Sequence, residues 1–432
     1  MLDAKLIREE PDKIKAAIAA KNADPALVDE FLRLDEEWRK VTAELEALRA
    51  RQNELSAKRE IDAAKDNKEK MKAKESGIAE LETRRESAWW KIPNLPSADT
   101  PVGKDESANQ VLRRWGAPPA FDFEPKDHLA LGEALGMINV EAAAKISGTR
   151  FGYILGDLAR MEFALVQHAL SILTAEDILT EIAGRVRPGY TAKKFVPVLP
   201  PVFIRPEVFR KMARLEPPED KYHLPADDLY LIGSAEHTLG PLHMDEIIPA
   251  EKLPLRYVGF STAFRRESGS YGKDTRGILR VHQFDKVEME SFVLPADGVT
   301  EQDFFVAIQE YLMQSLKLPY QVVICSTGDQ GDPDARHLDI ETWMPGQTHS
   351  TGSGRGLYRE THSADYMTDY QARRLNTRTK ITGKNEFVHM NDATVFAIGR
   401  TLIAIMENYQ TADGKIRVPE ILQPYLGQEM VG

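Results

Sequence analysis

The stretch from Arg256 to Val293, RYVGFSTAFRRESGSYGKDTRGILRVHQFDKVEMESFV, constrains the fold more than any other part of the chain. Tyr257, Val258, Phe260 and Phe264 precede Gly269, Gly272 and Gly277, and Val281, Val287 and Met289 follow, the pattern of two β-strands joined by a glycine-rich loop. Side chains alternate along a strand, so Arg280, His282, Phe284, Lys286 and Glu288 share one face of the second arm, and Val281, Val287 and Met289 take the other. On the first arm Arg265 and Glu267 likewise share a face. A charged face with one aromatic in its middle has two readings. It is a solvated outer face with a stray phenylalanine, or it is a nucleotide site in which a ring stacks a base, cations take phosphates and a carboxylate takes an amine or hydroxyl.

The 432 residues suffice for two or three domains, and a hydrophobic content of 42% suffices for a sizeable core. With 56 Lys and Arg against 67 Asp and Glu the net charge is −11, so a nucleic-acid partner requires a local basic surface, and the acidic balance argues against coating DNA. The single cysteine, Cys325 in the apolar run QVVIC, reads as core and excludes an internal disulfide framework or a Cys-based zinc cluster. His237, His243, His337 and His349 are scattered without ligand spacing for zinc. No apolar run approaches the ~20 residues of a membrane span, and the charged N-terminus reads as that of a cytoplasmic protein from which nothing is removed.

Residues 1 to 22 form a short helical start broken by Asn22, Asp24 and Pro25. From Leu27 the apolar positions Phe31, Leu34, Trp38, Val41, Leu45, Leu48 and Leu55 follow in steps of four and three, with Gln52 in the slot between, which is a coiled-coil seam. The seam lapses near Ile61 to Asn67 and resumes at Met71, Ile78, Leu81, Ala88 and Ile92 until Pro93 and Pro96 end it. Two such helices fold back as an antiparallel hairpin. Lys58, Arg59, Lys65, Lys68, Lys70, Lys72 and Lys74 gather at its tip, as a solvated spacer, a dimerisation arm or a grip on phosphates. A Pro-rich connector runs from Ile92 to Asp127, and Leu158 to Leu179 reads as one amphipathic helix. These features divide the chain into a helical hairpin over 1–95, a linker over 96–125 and a larger domain over 126–432. The glycines of TGSGRGL lack a strand-loop-helix context and read as a flexible loop rather than a phosphate cradle.

FRRE, a glycine-rich loop and RVHQFDKVEM in that order resemble motif 2 of class II aminoacyl-tRNA synthetases, closest in wording to the bacterial seryl-tRNA synthetases. The resemblance extends over essentially the whole chain. LGEALGMINVEAAAKISGTRFGYILGDLARMEFALVQHAL resembles the entry to the family's catalytic domain, and GYTAKKFVPVLPPVFI resembles motif 1, with Pro201 matching the proline that ends its strand at the dimer interface. NDATVFAIGRTLIAIMENYQ resembles motif 3, and DYQARRLNTR is similar to a further family signature, expected on a strand. The fold this implies is α+β, a class II antiparallel sheet flanked by helices, carrying an N-terminal antiparallel coiled-coil hairpin.

The resemblance also implies site residues. Arg265, Glu267 and Arg400 match the catalytic positions, with Arg265 on the α-phosphate and substrate carboxylate and Arg400 on the γ-phosphate side of ATP. Ser234, Ala235 and Glu236, where the family has Thr-Ala-Glu, match the serine pocket together with Arg265, Glu288 and Thr394. ATP would be held by Arg265, Arg266, Glu267, Arg280, Phe284, Glu360, Thr361, His362, Ser363 and Arg400, with Phe284 under the adenine and Mg²⁺ on the oxygens of Glu360 and Ser363. Where the family reads Asn-Gly-Ser-Gly before motif 3, this chain reads Asp392-Ala393-Thr394-Val395, and a side chain at Val395 would narrow the pocket. Lys58, Arg59, Lys65, Lys68, Lys70 and Lys72 match the arm that holds tRNA(Ser), shape and backbone being what double-stranded RNA offers a reader. The implied activity is ATP-dependent activation of L-serine and transfer to tRNA(Ser) by a homodimer, with tRNA(Sec) left open as a second acceptor. Two rivals stand beside it: an adenylate-forming relative that serves another acceptor such as a carrier protein, and a non-catalytic RNA-binding paralogue.

Overall fold

The computed structural model describes residues 1–268, 276–348 and 355–432. Gly269, Gly272, His349, Gly352 and Gly354 lie outside the described residues. The described chain forms two units, Met1–Pro96 with Gly331–Pro333, and Ser97–Gln330 with Asp334–Gly432.

In the first unit, short helices Ala4–Glu9 and Pro11–Ala20 precede two long antiparallel helices, α1 (Ala26–Lys58) and α2 (Ile61–Trp90). Arg59 adopts a left-handed conformation at φ 58°, and the Glu60 N–H returns to the Leu55 carbonyl, so the reversal takes only Arg59 and Glu60. The apolar seam lapses at Ile61 to Asn67 as expected, with Ile61 exposed, but the segment is helical and the polar Asn67 is buried in the seam. Its Nδ2 donates to Gln52 Oε1 and to the Leu48 carbonyl, both at 2.9 Å, so the two polar residues complete one another across the seam. Nearer the base, buried Asp35 lies 2.6 Å from Arg85, whose guanidinium sits 4.6 Å from the Trp38 ring centroid and 4.8 Å from that of Trp89. Burial opposes ionisation of Asp35, yet Arg85 and Arg8 hold its carboxyl below the usual range. Lys58, Arg59, Lys65, Lys68, Lys70 and Lys72 are all exposed.

The second unit is built on an eight-stranded sheet. Its strands in chain order are β1 (Gln110–Trp115), β2 (Val196–Val198), β3 (Leu255–Phe264), β4 (Gln283–Val293), β5 (Tyr320–Ile324), β6 (Arg336–Thr348), β7 (Arg355–Tyr366) and β8 (His389–Ala397). Across the sheet they lie in the order β1-β5-β6-β7-β8-β4-β3-β2, antiparallel throughout except for the β2–β3 edge. β3 and β4 form the long hairpin expected from the alternation, with Phe264 opposite Gln283 and Leu255 opposite Phe292. Helices α3 (Gly156–Leu173), α4 (Glu176–Val186), α5 (Gly298–Ser315) and α6 (Ile398–Asn408) supply Leu165, Ile182, Phe305 and Leu402 to one core with Val287, Met289 and Phe396 of the sheet. At the edge Arg256 of β3 is 2% exposed and makes two bonds of 2.7 Å to Glu301 of α5. Breaking such a buried pair costs about 3–5 kcal/mol. Among the described residues no helix is long and apolar enough to cross a membrane.

Four expectations change here. The connector over 96–125 contains the edge strand β1, and all six of its residues are exposed, so no alternation marked it. The helix expected over Leu158 to Leu179 breaks after Leu173, where the Thr174 hydroxyl bonds the Leu170 carbonyl and competes with the next turn. The motif 1 strand ends at Val198, ahead of Pro201. YQARRL, expected on a strand, is a helix over Tyr370–Leu375.

Candidate active site

Alternation along β4 puts Phe284, Lys286, Glu288 and Glu290 on one face, while Val287 and Met289 are fully buried in the core. The strand begins only at Gln283, so Arg280 and His282 do not share that alternation. Arg280 enters from the preceding loop with Nη1 2.9 Å from the Glu267 carboxylate, and Val281 lines the same cavity instead of facing away. The His282 ring packs against Phe151 and Tyr222, away from the cavity lining. Arg265 and Glu267 follow the end of β3. The Arg265 guanidinium lies 5.4 Å from the Phe284 ring centroid, and Glu267 takes a left-handed φ of 53° that turns its carboxylate toward Arg280. Arg266 points elsewhere, bonding the Lys221 carbonyl at 3.0 Å with its guanidinium 4.9 Å from the Tyr222 ring centroid.

Gly259 of β3 stands opposite Glu288. A Cβ there would come within 2.9 Å of Leu239 and 3.2 Å of Ala235, so the missing side chain lets the turn that carries Ser234, Ala235 and Glu236 lie on the sheet beside Glu288. Lys286 Nζ is 2.5 Å from Glu288 and donates to Ser234 Oγ at 3.1 Å, and Ser234 donates to Glu236 at 3.0 Å. Glu288 is fully buried, and its Oε1 has no hydrogen-bond partner among the described residues. Burial pushes its carboxyl up to about 7, against the opposing pull of Lys286.

Two β-bulges complete the site. Ile340 pairs with His362 and Glu341 with Glu360, which leaves Thr361 as an extra residue on β7. The extra residue shifts the alternation, so Glu360 and Ser363, three apart, both line the cavity, while His362 turns inward against Phe396. Burial lowers the His362 imidazole to about 3, and its ring does not reach the cavity. On β8 the extra residue is Val395, because Val287 pairs with Phe396 and Glu288 with Thr394. Val395 is therefore in the hydrophobic core and does not narrow the pocket, whereas Thr394 and Ala397 line it. The β7–β8 pairing covers Ala364 to Tyr366, and next to it Gln309 of α5 donates to both the Ser363 carbonyl at 2.7 Å and the Thr394 carbonyl at 2.8 Å. The two hydroxyls face each other at 3.2 Å.

Arg400 lies in the first turn of α6 with Nη1 3.1 Å from the Glu360 carboxylate. Burial opposes ionisation of Glu360, but Arg400 holds its carboxyl at about 2. An ionised carboxylate and the Ser363 hydroxyl are hard oxygen donors on one wall, a set that fits Mg²⁺ better than a softer metal.

Arg265, Glu267, Arg280, Phe284, Glu360, Thr361, Ser363, Thr394 and Arg400 thus line one cavity, and Ser234, Glu236 and Glu288 adjoin it through Lys286. Ala235 is buried beneath the same turn. The arrangement offers a ring for a planar base, guanidinium groups for phosphates, and a carboxylate with two hydroxyls for a small polar group. Lys286 is on the expected face without an assigned role, and Gln309 is not among the expected residues, since it acts through contacts distant in sequence. His337, scattered from the other histidines in sequence, lies beside Asp339, Asp365 and Cys325 in the fold.

Residues 221–409 match the family described as tRNA synthetase class II core domain (G, H, P, S and T), and residues 1–96 match the Seryl-tRNA synthetase N-terminal domain. The chain is 41% identical to the serine–tRNA ligase of Acidothermus cellulolyticus over 442 residues, covering all of this chain and 99% of that one. It is 39% identical to that of Petrotoga mobilis over 448 residues, covering both chains in full. Among solved structures it is similar to the seryl-tRNA synthetase of Pyrococcus horikoshii complexed with ATP, at a TM-score of 0.88 and 35% identity over 100% of this chain and 99% of the other. The cytoplasmic serine–tRNA ligase of Naegleria fowleri in complex with AMP matches at a TM-score of 0.86 and 32% identity, over 100% and 98%. Two family domains that together span most of the chain, and full-length relatives at this identity, place it in the seryl-tRNA synthetase family of class II aminoacyl-tRNA ligases.

Proposed function

We propose that this chain activates L-serine with ATP to seryl-adenylate and transfers the seryl group to the 3′ end of tRNA(Ser), as a cytoplasmic homodimer. The observation that carries the reading is one cavity lined by Phe284, Arg265 and Arg400 for the nucleotide and by Lys286 and Thr394 at a small polar end, which buried Glu288 adjoins through Lys286. From Phe284 to Glu288 the strand spans roughly 14 Å at about 3.4 Å per residue, room for an aminoacyl-adenylate between base and amino acid.

In the first step a serine carboxylate oxygen attacks the α-phosphorus and the bond to pyrophosphate breaks. In the second the terminal ribose hydroxyl of the tRNA attacks the seryl carbonyl and AMP leaves. No protein nucleophile takes part, so the chain's work is to orient reactants and stabilise charge. Phe284 stacks the adenine, Arg265 holds the α-phosphate and the serine carboxylate, and Glu267 lies toward the adenine with Arg280 behind it. Arg400 leaves Glu360 for the departing phosphates. Glu360 and Ser363 would hold Mg²⁺, which when bound neutralises phosphate charge. Glu288 and Thr394 meet the serine hydroxyl and ammonium. Alanine or glycine would leave these buried groups unpaired, a penalty that reaches about 10⁴-fold, and the Thr394 methyl opposes threonine.

Serine-dependent ATP–pyrophosphate exchange, run beside glycine, alanine and threonine, tests the activation step. Charging with and without tRNA(Ser) and tRNA(Sec) separates a tRNA ligase from a relative that serves a carrier protein. Failure of serine to stimulate exchange would refute the reading.

A further inference from the structure

Two residues along each strand from Glu288, Thr394 and Ser363 stands a second row, and it is entirely acidic. Glu290 of β4 pairs with Asp392 of β8, which pairs with Asp365 of β7, and all three are buried. Arg214, just beyond the helix Pro206–Lys211, is inserted against this row. Its Nη2 is 3.4 Å from Asp392 and 3.3 Å from Asp365, and its Nε is 3.3 Å from Glu236. The carboxylate atoms of Glu236, Glu288 and Asp392 lie within 4.8 Å of one another, all buried. A buried carboxylate needs a nearby cation, and a guanidinium fork can serve several at once.

We propose that Arg214 is a positioning residue for the amino acid pocket. It offsets Asp392 and fixes Glu236, and through Ser234 and Lys286 that anchor sets where Glu288 meets the substrate. Without it the buried acids beneath the pocket lose a cationic neighbour, Glu236 loses its anchor, and serine affinity falls while the nucleotide side is untouched. The inference rests on the serine-activation reading of this site.

The test is serine-dependent pyrophosphate exchange with the full chain, its R214Q variant and the R214Q/D392N double variant. R214Q is expected to raise the KM for serine tenfold or more and to leave the KM for ATP within twofold. The double variant is expected to recover at least threefold of that loss, because it removes one of the acids that Arg214 offsets, the others being Asp334, Asp365 and Glu236. A serine KM within twofold of the parent, a parallel rise in both KM values, or no recovery in the double variant overturns the proposal. If circular dichroism shows R214Q unfolded, R214K, which keeps the charge and loses the fork to Glu236, takes its place: a serine KM raised more than twofold with the ATP KM within twofold supports the anchoring role, and a serine KM within twofold of the parent overturns it. Absence of serine-stimulated exchange in the parent chain would overturn the functional reading instead, so the two failures are distinguishable.

Discussion

Arg400 is held by Glu360 twice over, with Nη1 3.1 Å from the carboxylate and 2.9 Å from the same residue's backbone carbonyl. A cation so placed at the head of a buried helix is ready to be shared with a phosphate. Arg400→Ala is expected to lower exchange by about 10²–10³-fold, the usual cost of removing one preorganised donor. Arg400→Lys, which keeps the charge and loses the planar fork, should fall between. Loss of less than tenfold in the alanine variant would remove Arg400 from the phosphate role.

Glu288 should give serine recognition a pH dependence. Burial raises its carboxyl to about 7, so below that value the free protein presents a neutral acid to the serine ammonium and above it a carboxylate. The kcat/KM for serine should therefore rise as pH increases through about 7, the limb that reports the free protein's group. Glu288→Gln should flatten that limb, and an unchanged profile in this variant would exclude Glu288 as its source. Because the folded value is raised, the group's contribution to stability is present below its unfolded pKa and is lost as pH rises through about 7.

Phe284 faces the Arg265 guanidinium and is the ring available to a base in this cavity. Aromatic stacking contributes about 0.5–1.5 kcal/mol beyond area burial. Phe284→Leu is expected to raise the KM for ATP several-fold, up to about tenfold, with the KM for serine little changed. Steady-state exchange at varied ATP and varied serine reads the two separately.

The exposed cations of the hairpin tip should act on tRNA alone. Replacing Lys65, Lys68 and Lys72 together by Glu is expected to leave pyrophosphate exchange intact and to raise the KM for tRNA in aminoacylation. The dependence of log affinity on log salt should become shallower by about one per lost phosphate contact. An effect on exchange of equal size would show that these residues act through the fold.

The β3–β4 hairpin, the long helices and the apolar or charged faces were legible because each follows a period of two or of 3.5 to 3.6. What the sequence hid depends on departures from those periods. The bulges at Thr361 and Val395 decide that Ser363 rather than His362 reaches the cavity and that Val395 enters the core, and neither bulge has a glycine to mark it. The edge strand Gln110–Trp115 is exposed on both faces and so has no pattern to read. Arg214 and Gln309 gain their roles only when strands far apart in sequence come together at Asp392, Asp365, Ser363 and Thr394.

The amide bridge between Asn67 and Gln52 also fixes a length. A slip of one heptad between α1 and α2 would move one helix about 10 Å along the other at 1.5 Å per residue and leave both amides facing hydrocarbon. Only one alignment is therefore stable, and the lysines beyond the bridge stand at a set reach from the hairpin's base. The length of the arm is thus written into its own seam.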